Sequence, residues 1–149
     1  MSDPAQSFLG RGWSFPPRFD VALDGQGRAS GPGALTMVRD HEDIHESLRV
    51  LFSTFRGERL LQPEYGAGLA GDVDTPLNAT QLGALRSRIE HAILFFEPRI
   101  KLRSVTLDTA RAADGVLAIH LDYDVPAINS RSNMVYPLYI KEGTNVRMP

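Results

Sequence analysis

The 149-residue chain contains no cysteine, so disulfides, thiolate metal sites and cysteine nucleophiles are excluded. It has no apolar run of the roughly 18 residues that a membrane-spanning helix needs. Its net charge is only −2, so no overall field draws it to nucleic acid or to an anionic membrane, and neither is expected as a partner. Internal repeats and low-complexity segments are missing. So are a Gly-rich phosphate loop between a strand and a helix and a nucleophile elbow. The opening MSDPAQSFLGRGW has no basic start followed by an apolar stretch, which gives the expectation that the chain is made and kept in the cytoplasm or leaves by a route the sequence does not show. What is present, 42% apolar residues over one domain's length, suits a single core.

Residues 1–35 read as an N-terminal arm, and residues 36–149 as one domain. The arm carries Phe8, Leu9, Trp13, Phe15 and Phe19, too many aromatics for a disordered tail. Those rings need a surface, either their own domain or a neighbouring subunit. DGQGRASGPG (24–33) is punctuated as a loop or hairpin turn, and ALTMV (34–38) as a short strand. Asp40 is placed to cap a helix in which Ile44, Leu48, Leu51, Phe52 and Phe55 form one apolar stripe, ending near Gly57. Residues 60–76 are irregular and Gly-rich. Asn78 and Gln81 resemble a capping box for a second helix, with Leu82, Leu85, Ile89, Ile93 and Phe96 on its stripe; Pro98 stops it at Glu97.

The remainder reads as sheet. In IKLRSVTLDT (100–109) the alternation changes phase between Leu102 and Val105, which predicts a bulge. VLAIHLDYDV (116–125) alternates cleanly, with Leu117, Ile119, Leu121, Tyr123 and Val125 on one face. PAINSRSN reads as a loop, and MVYPLYI (134–140) as a strand whose Pro137 argues for a sheet edge. The fold class is therefore α+β: an extended arm, two principal helices, and a C-terminal antiparallel sheet of about three strands with an open edge.

Two patterns raise the question of catalysis. His41-Glu42-x-x-His45 spells the zincin signature, in which two His on one helical face hold zinc and the Glu acts as base. Here it falls in a first helical turn, on a polar face, beside a positive helix N-terminus that disfavours a cation. A coincidental match is the expected reading, with no metal. Glu58, Glu64, Asp72, Asp74 and Glu97 offer carboxylates for glycosidase-like chemistry, but no spacing selects a pair.

The most specific stretches are FFEPRIKLRSV (95–105) and ESLRVLFSTFRGERLLQPEYGAGL (46–69). Thr54 followed by Gly57-Glu58-Arg59, then Pro63-Glu64-Tyr65-Gly66, then a helix running into Glu97-Pro98-Arg99-Ile100, resembles the GPW and T4 gene 25 product family. Its members are baseplate wedge components of contractile tails, called TssE in type VI secretion, and some carry a lysozyme-like label. FLGRGWSFPPRFD and the final YDVPAINSRSNMVYPLYIKEG, with Asn133 and Pro137, extend the likeness to about residues 8–143.

The resemblance implies a structural role as wedge component and sheath initiator, without catalytic residues, metal or cofactor. It implies docking to TssF-like and TssG-like wedge proteins through Glu97, Pro98 and Arg99 with Glu58 and Arg59. It implies an edge of Met134, Val135, Tyr136, Leu138, Tyr139 and Ile140 facing the first sheath ring. Trp13 and Phe15 would touch an adjacent component, inner tube or hub included. About six copies per baseplate are implied, in a particle retained in the bacterial cytoplasm or released. Glu97 and Arg99 have an alternative task, pairing with each other or with Glu58 and Arg59 to pin the fold. The open rivals are a hydrolase (muramidase or zinc peptidase) and a small protein-binding adaptor. Removing residues 134–149 is expected to leave a baseplate without sheath, provided the domain still folds.

Overall fold

Both helical stripes become helices, α1 (Asp40–Ser53) and α2 (Ala79–Phe96), in a computed structural model that describes residues 11–31, 33–35, 37–69 and 77–140. The chain divides into two compact units, residues 1–47 and 48–149, with α1 running from one into the other.

In the first unit the arm is paired chain. Strand β1 (Arg11–Trp13) pairs antiparallel with β4 (Met37–Arg39), and β2 (Phe19–Asp20) pairs with β3 (Ala34–Leu35). The expected turn lies between β2 and β3, where the Asp24 side chain accepts from the N–H groups of Gln26 and Arg28. Any side chain at Gly12 would collide with the Asp43 carboxylate, since a Cβ there would lie 2.0 Å from Oδ1. Short two-stranded ladders cannot bury large rings on their own. Trp13 is 67% exposed, and Phe15 and Phe19 are also exposed. Phe8 and Leu9 lie outside the described residues.

Asp40 opens α1 with φ 55, a left-handed conformation that Asp tolerates better than most residues. Ile44, Leu48, Leu51 and Phe52 are fully buried, as their spacing requires. The helix stops at Ser53, four residues before Gly57, which corrects the expected end. Gly57 instead sits in the following loop with φ 85, donating its N–H to the Pro63 carbonyl at 2.7 Å. The end of α1 is closed from farther along the chain. Ala67 N–H donates to the Leu51 carbonyl at 3.0 Å, and Gly68 N–H to that of Thr54 at 3.3 Å.

Helix α2 starts as its sequence asks: Asn78 is the N-cap and its side chain accepts from Gln81 N–H at 2.9 Å. Leu85, Ile89, Ala92 and Ile93 are its buried face, and it ends before Pro98 with Glu97 as C-cap.

The second unit closes on one antiparallel sheet of order β5 (Lys101–Asp108), β6 (Val116–Val125), β7 (Ser130–Tyr139). The bulge falls where the phase change placed it, between Leu102 and Ser104. The inner face of β6, Leu117 through Val125 at alternate positions, is fully buried; Phe52 of α1 meets Tyr136 of β7 edge-on at 5.2 Å. Strand β7 begins four residues before Met134. The turn Pro126–Ile128 with Asn129 at φ 48 is tight enough to start pairing at Ser130, so the expected loop over 126–133 is mostly strand.

Ile140 N–H donates to the Gly115 carbonyl, which makes Gly115 and Ile140 a directly bonded pair. Bonded and non-bonded pairs alternate in antiparallel ladders. Pro137, opposite Ala118, therefore occupies a non-bonded position, and its missing N–H faces the open edge. Met134, Leu138 and Ile140 point inward and are buried. The condition attached to removing 134–149 therefore fails, because the cut takes core side chains along with the edge.

Burial pushes the phenols of Tyr65, Tyr123 and Tyr136 above the ordinary 10.0. The native state holds these protons where the unfolded chain releases them. Their contribution to stability is thus complete below about pH 10 and declines as pH rises through it. Urea midpoints across that range should fall steeply above pH 10; a flat profile would contradict buried phenols.

Candidate functional site

The three sequence motifs meet at the junction of α2, β5 and the loop after α1. Pro98 ends α2 and turns the chain into β5, which fixes Glu97 and Arg99 on either side of a rigid turn. Glu97 is 2% exposed. Its two carboxylate oxygens accept from Arg99, from Nε at 2.6 Å and from Nη2 at 2.9 Å. This is the bidentate fork that only a guanidinium offers a carboxylate. The backbone of Glu97 is tied as well, N–H to the Ile93 carbonyl and C=O from Ile100 N–H.

Next to this pair lies an aromatic stack. The Arg59 guanidinium carbon lies 4.0 Å from the centre of the Tyr65 ring, a cation–π contact, and Tyr65 meets Phe96 edge-on at 5.2 Å. The Tyr65 phenol is raised first by burial, opposed by Arg59 and reinforced by the Glu97 charge. Burial raises the Tyr123 phenol most, Ser132 opposes the rise, and the Glu97 charge reinforces it. Glu58 faces the other way, its Oε2 accepting from Phe55 N–H at 2.9 Å, so it holds the loop and does not join the pair.

Of the expected docking residues, the structure therefore groups Glu97, Pro98, Arg99 and Arg59 and sets Glu58 apart. Of the two tasks foreseen for Glu97 and Arg99, mutual pairing is the one the geometry displays. The residue that sequence reasoning missed as the hub is Tyr65, although it stood inside the Pro-Glu-Tyr-Gly motif. Leu60 and Leu61, 96% and 97% exposed at the loop tip, had no periodic signal to mark them.

The edge residues divide by face. Met134, Leu138 and Ile140 are core; Val135 and Tyr139 are exposed and Tyr136 half-buried. On the outer face Arg131 pairs with Asp122, whose hydrogen bond lowers the Asp122 carboxyl, and Arg103 Nε lies 2.7 Å from Asp124. Exposed pairs of this kind add little stability.

His41 and His45 are half-buried, not on the solvated face expected of them. Nδ1 of His41 is buried without a hydrogen-bond partner among the described residues. No group of three or more potential ligands that could hold a metal ion occurs among the described residues. Asp72 and Asp74 lie outside them. Among the described residues no helix is long and apolar enough to cross a membrane.

A family model described as baseplate wedge protein gp25 matches residues 38–130, and the chain belongs to that family, as its motifs indicated. It is thereby a structural baseplate wedge component of contractile tail systems. The chain is 35% identical to baseplate protein W of Escherichia phage P2 over 84 residues, 56% of this chain and 71% of that protein. A crystal structure of a Geobacter sulfurreducens protein named as a tail lysozyme is similar with TM-score 0.66 and 40% identity, covering 74% of this chain and all of that one. A chain of the six-fold symmetrised anti-feeding prophage baseplate is similar with TM-score 0.54 and 26% identity, covering 91% of this chain and 89% of that one.

Proposed function

We infer that this chain is a wedge subunit that docks to its neighbours through the turn at Pro98 and Arg99 and the loop carrying Arg59, and seeds the sheath at the β7 edge. The observation that carries the reading is the convergence of Arg59, Tyr65, Phe96, Glu97 and Arg99 on one rigid cluster. Groups already fixed lose little entropy when a partner binds. Glu97 serves as the pin, and the partner meets Pro98, the outer part of Arg99 and the exposed tip at Leu60 and Leu61. Trp13 and Phe15, exposed on the arm, suit an adjacent subunit. The partners are TssF-like and TssG-like wedge proteins and the sheath protein, in about six copies by analogy with the six-fold baseplate relative. The particle is released or stays in the cytoplasm.

The rival muramidase would need a carboxyl able to give a proton. Both oxygens of Glu97 are held by the Arg99 guanidinium and its side chain is 3% exposed, so the carboxyl is not presented to a substrate. A tagged pull-down from the producing cell, with mass spectrometry and negative-stain microscopy of the eluate, tests the reading. Wedge and sheath proteins with tail-like particles are the expected result. A lone monomer from cells that make such particles, or clearing of cell walls by the purified protein, would overturn it.

A further inference from the structure

The N-terminal hairpin ties down its polar groups and leaves its apolar ones uncovered. Ser14 Oγ accepts from Arg18 N–H at 3.2 Å and fixes the segment between β1 and β2. Near the tip, Asp24 accepts from Gln26 and Arg28, and Ser30 N–H donates to the Ala22 carbonyl at 2.7 Å. Yet Phe19, Val21 and Leu23 are 63%, 45% and 64% exposed.

The pairing gathers these side chains on one side. Alternate residues of a strand share a face, and so do residues directly opposite each other. Phe19 stands opposite Leu35, and Leu23 bridges to Ala29. A Cβ at Gly33 would lie 3.3 Å from Val21 Cγ2 and 3.5 Å from Phe19 Cβ, so residue 33 belongs to the same face and its glycine leaves a shallow notch there. Phe19, Val21, Leu23 and Leu35 thus form an apolar face without a charged side chain, while Asp20 and Ala22 alternate to the other side. Together with Trp13, 67% exposed on the same arm, the uncovered side chains present on the order of 500 Å², a patch size that marks an interaction site.

The relatives indicate where such a face is used. The family match begins only at residue 38, after the arm. The likeness to the chain of the anti-feeding prophage baseplate covers 91% of this chain and leaves about 13 of its 149 residues unmatched, fewer than the 37 that precede the family match, so it extends into the arm. We propose that the hairpin face docks against an uncharged apolar surface of a different baseplate polypeptide, with an aliphatic side chain of that partner seated over Gly33 between Phe19 and Val21. Side chains make this contact, and the hairpin is fixed by its own hydrogen bonds before the partner arrives. A second copy of this chain is a poor occupant, because face-to-face pairing of two hairpins needs a two-fold axis that a six-fold ring of single copies lacks. The inference deepens the arm contact named above and rests on the chain residing in a baseplate.

A photo-crosslinking amino acid in place of Val21, activated in particles from the producing cell, is expected to couple to a baseplate polypeptide other than this chain. Leu23→Asp puts a charge on the face at a side chain that is already exposed. It is expected to leave the melting temperature within about 2 °C of the parent and to lower incorporation into particles at least about tenfold. Ala22→Asp sets the same charge on the opposite side and should incorporate normally. Coupling only to a second copy or to lipid, or no coupling in particles that contain the chain, would overturn the proposal, as would equal losses from Leu23→Asp and Ala22→Asp. If Leu23→Asp does not fold, the crosslink alone decides. Particles that lack the parent chain altogether would overturn the baseplate reading, a result distinct from absent coupling.

Discussion

Gly66→Ala is expected to destabilise the protein by about 3–5 kcal/mol, lowering the melting temperature by roughly 10 °C or more. Gly66 has φ 116, a region outside even the left-handed well that other residues sometimes visit. A Cβ there would lie 2.4 Å from the Thr54 carbonyl oxygen, which is backbone and cannot swing aside. Relief requires moving the chain that carries the bonds from Ala67 and Gly68 to the end of α1. The loop that positions Arg59 and Tyr65 would shift with it. Gly57→Ala is the control: φ is 85 there, but nothing lies within 4 Å of the added carbon, so the cost is about 1 kcal/mol. Denaturant unfolding of the two variants measures the difference. Equal losses would mean that the steric contact at Thr54 does not govern this loop.

Glu97→Ala is expected to cost about 3 kcal/mol, because it strips a buried, doubly bonded partner from Arg99 and leaves a small void at the end of α2. Arg99→Ala leaves the buried carboxylate without its fork and should cost a similar amount. The double variant should lose less than the sum of the two, since neither charge is then stranded. Arg99→Lys separates pinning from docking: a lysine keeps the charge but cannot match both oxygens. If particle incorporation across these variants simply follows the fraction folded, the pair is a pin alone. If Arg99→Lys folds well and is still left out of particles, the guanidinium itself is read by a partner. Additive losses in the double variant would show that the two side chains act independently.

Helix α2, β6 and the bulge in β5 were legible in the sequence because periodicity and local signals agree there: Asn78 to start, Pro98 to stop, strict alternation from Val116 to Val125. The end of α1 was not. Gly57 looks like a helix terminator, but the carbonyls it would have closed are taken by Ala67 and Gly68, and no local rule foresees a cap from more than ten residues away. The start of β7 was hidden for a related reason. Asn129 accepts a left-handed conformation that lets pairing begin among residues that are polar and loop-like by composition. As for the site, the motifs named Glu97, Arg99 and Arg59, but only the fold reveals that Glu97 is interior and that Tyr65 joins the parts. Burial of a charge is a property of its three-dimensional neighbours, and a sequence window does not contain them.

The outward-facing nitrogen of Pro137 bears on how such subunits survive before they are assembled. A sheet with two unlike edges can in principle add copies head to tail, the β7 edge of one against the β5 edge of the next, and that contact has no symmetry to close it. Such growth would turn a store of spare parts into filaments. A single missing donor in the middle of the β7 row leaves every such joint one hydrogen bond short, and the penalty repeats at each step of the fibre. A partner that brings additional contacts elsewhere can absorb that loss once. The same residue that marks the strand as an edge thus favours construction of the machine over polymerisation of its component.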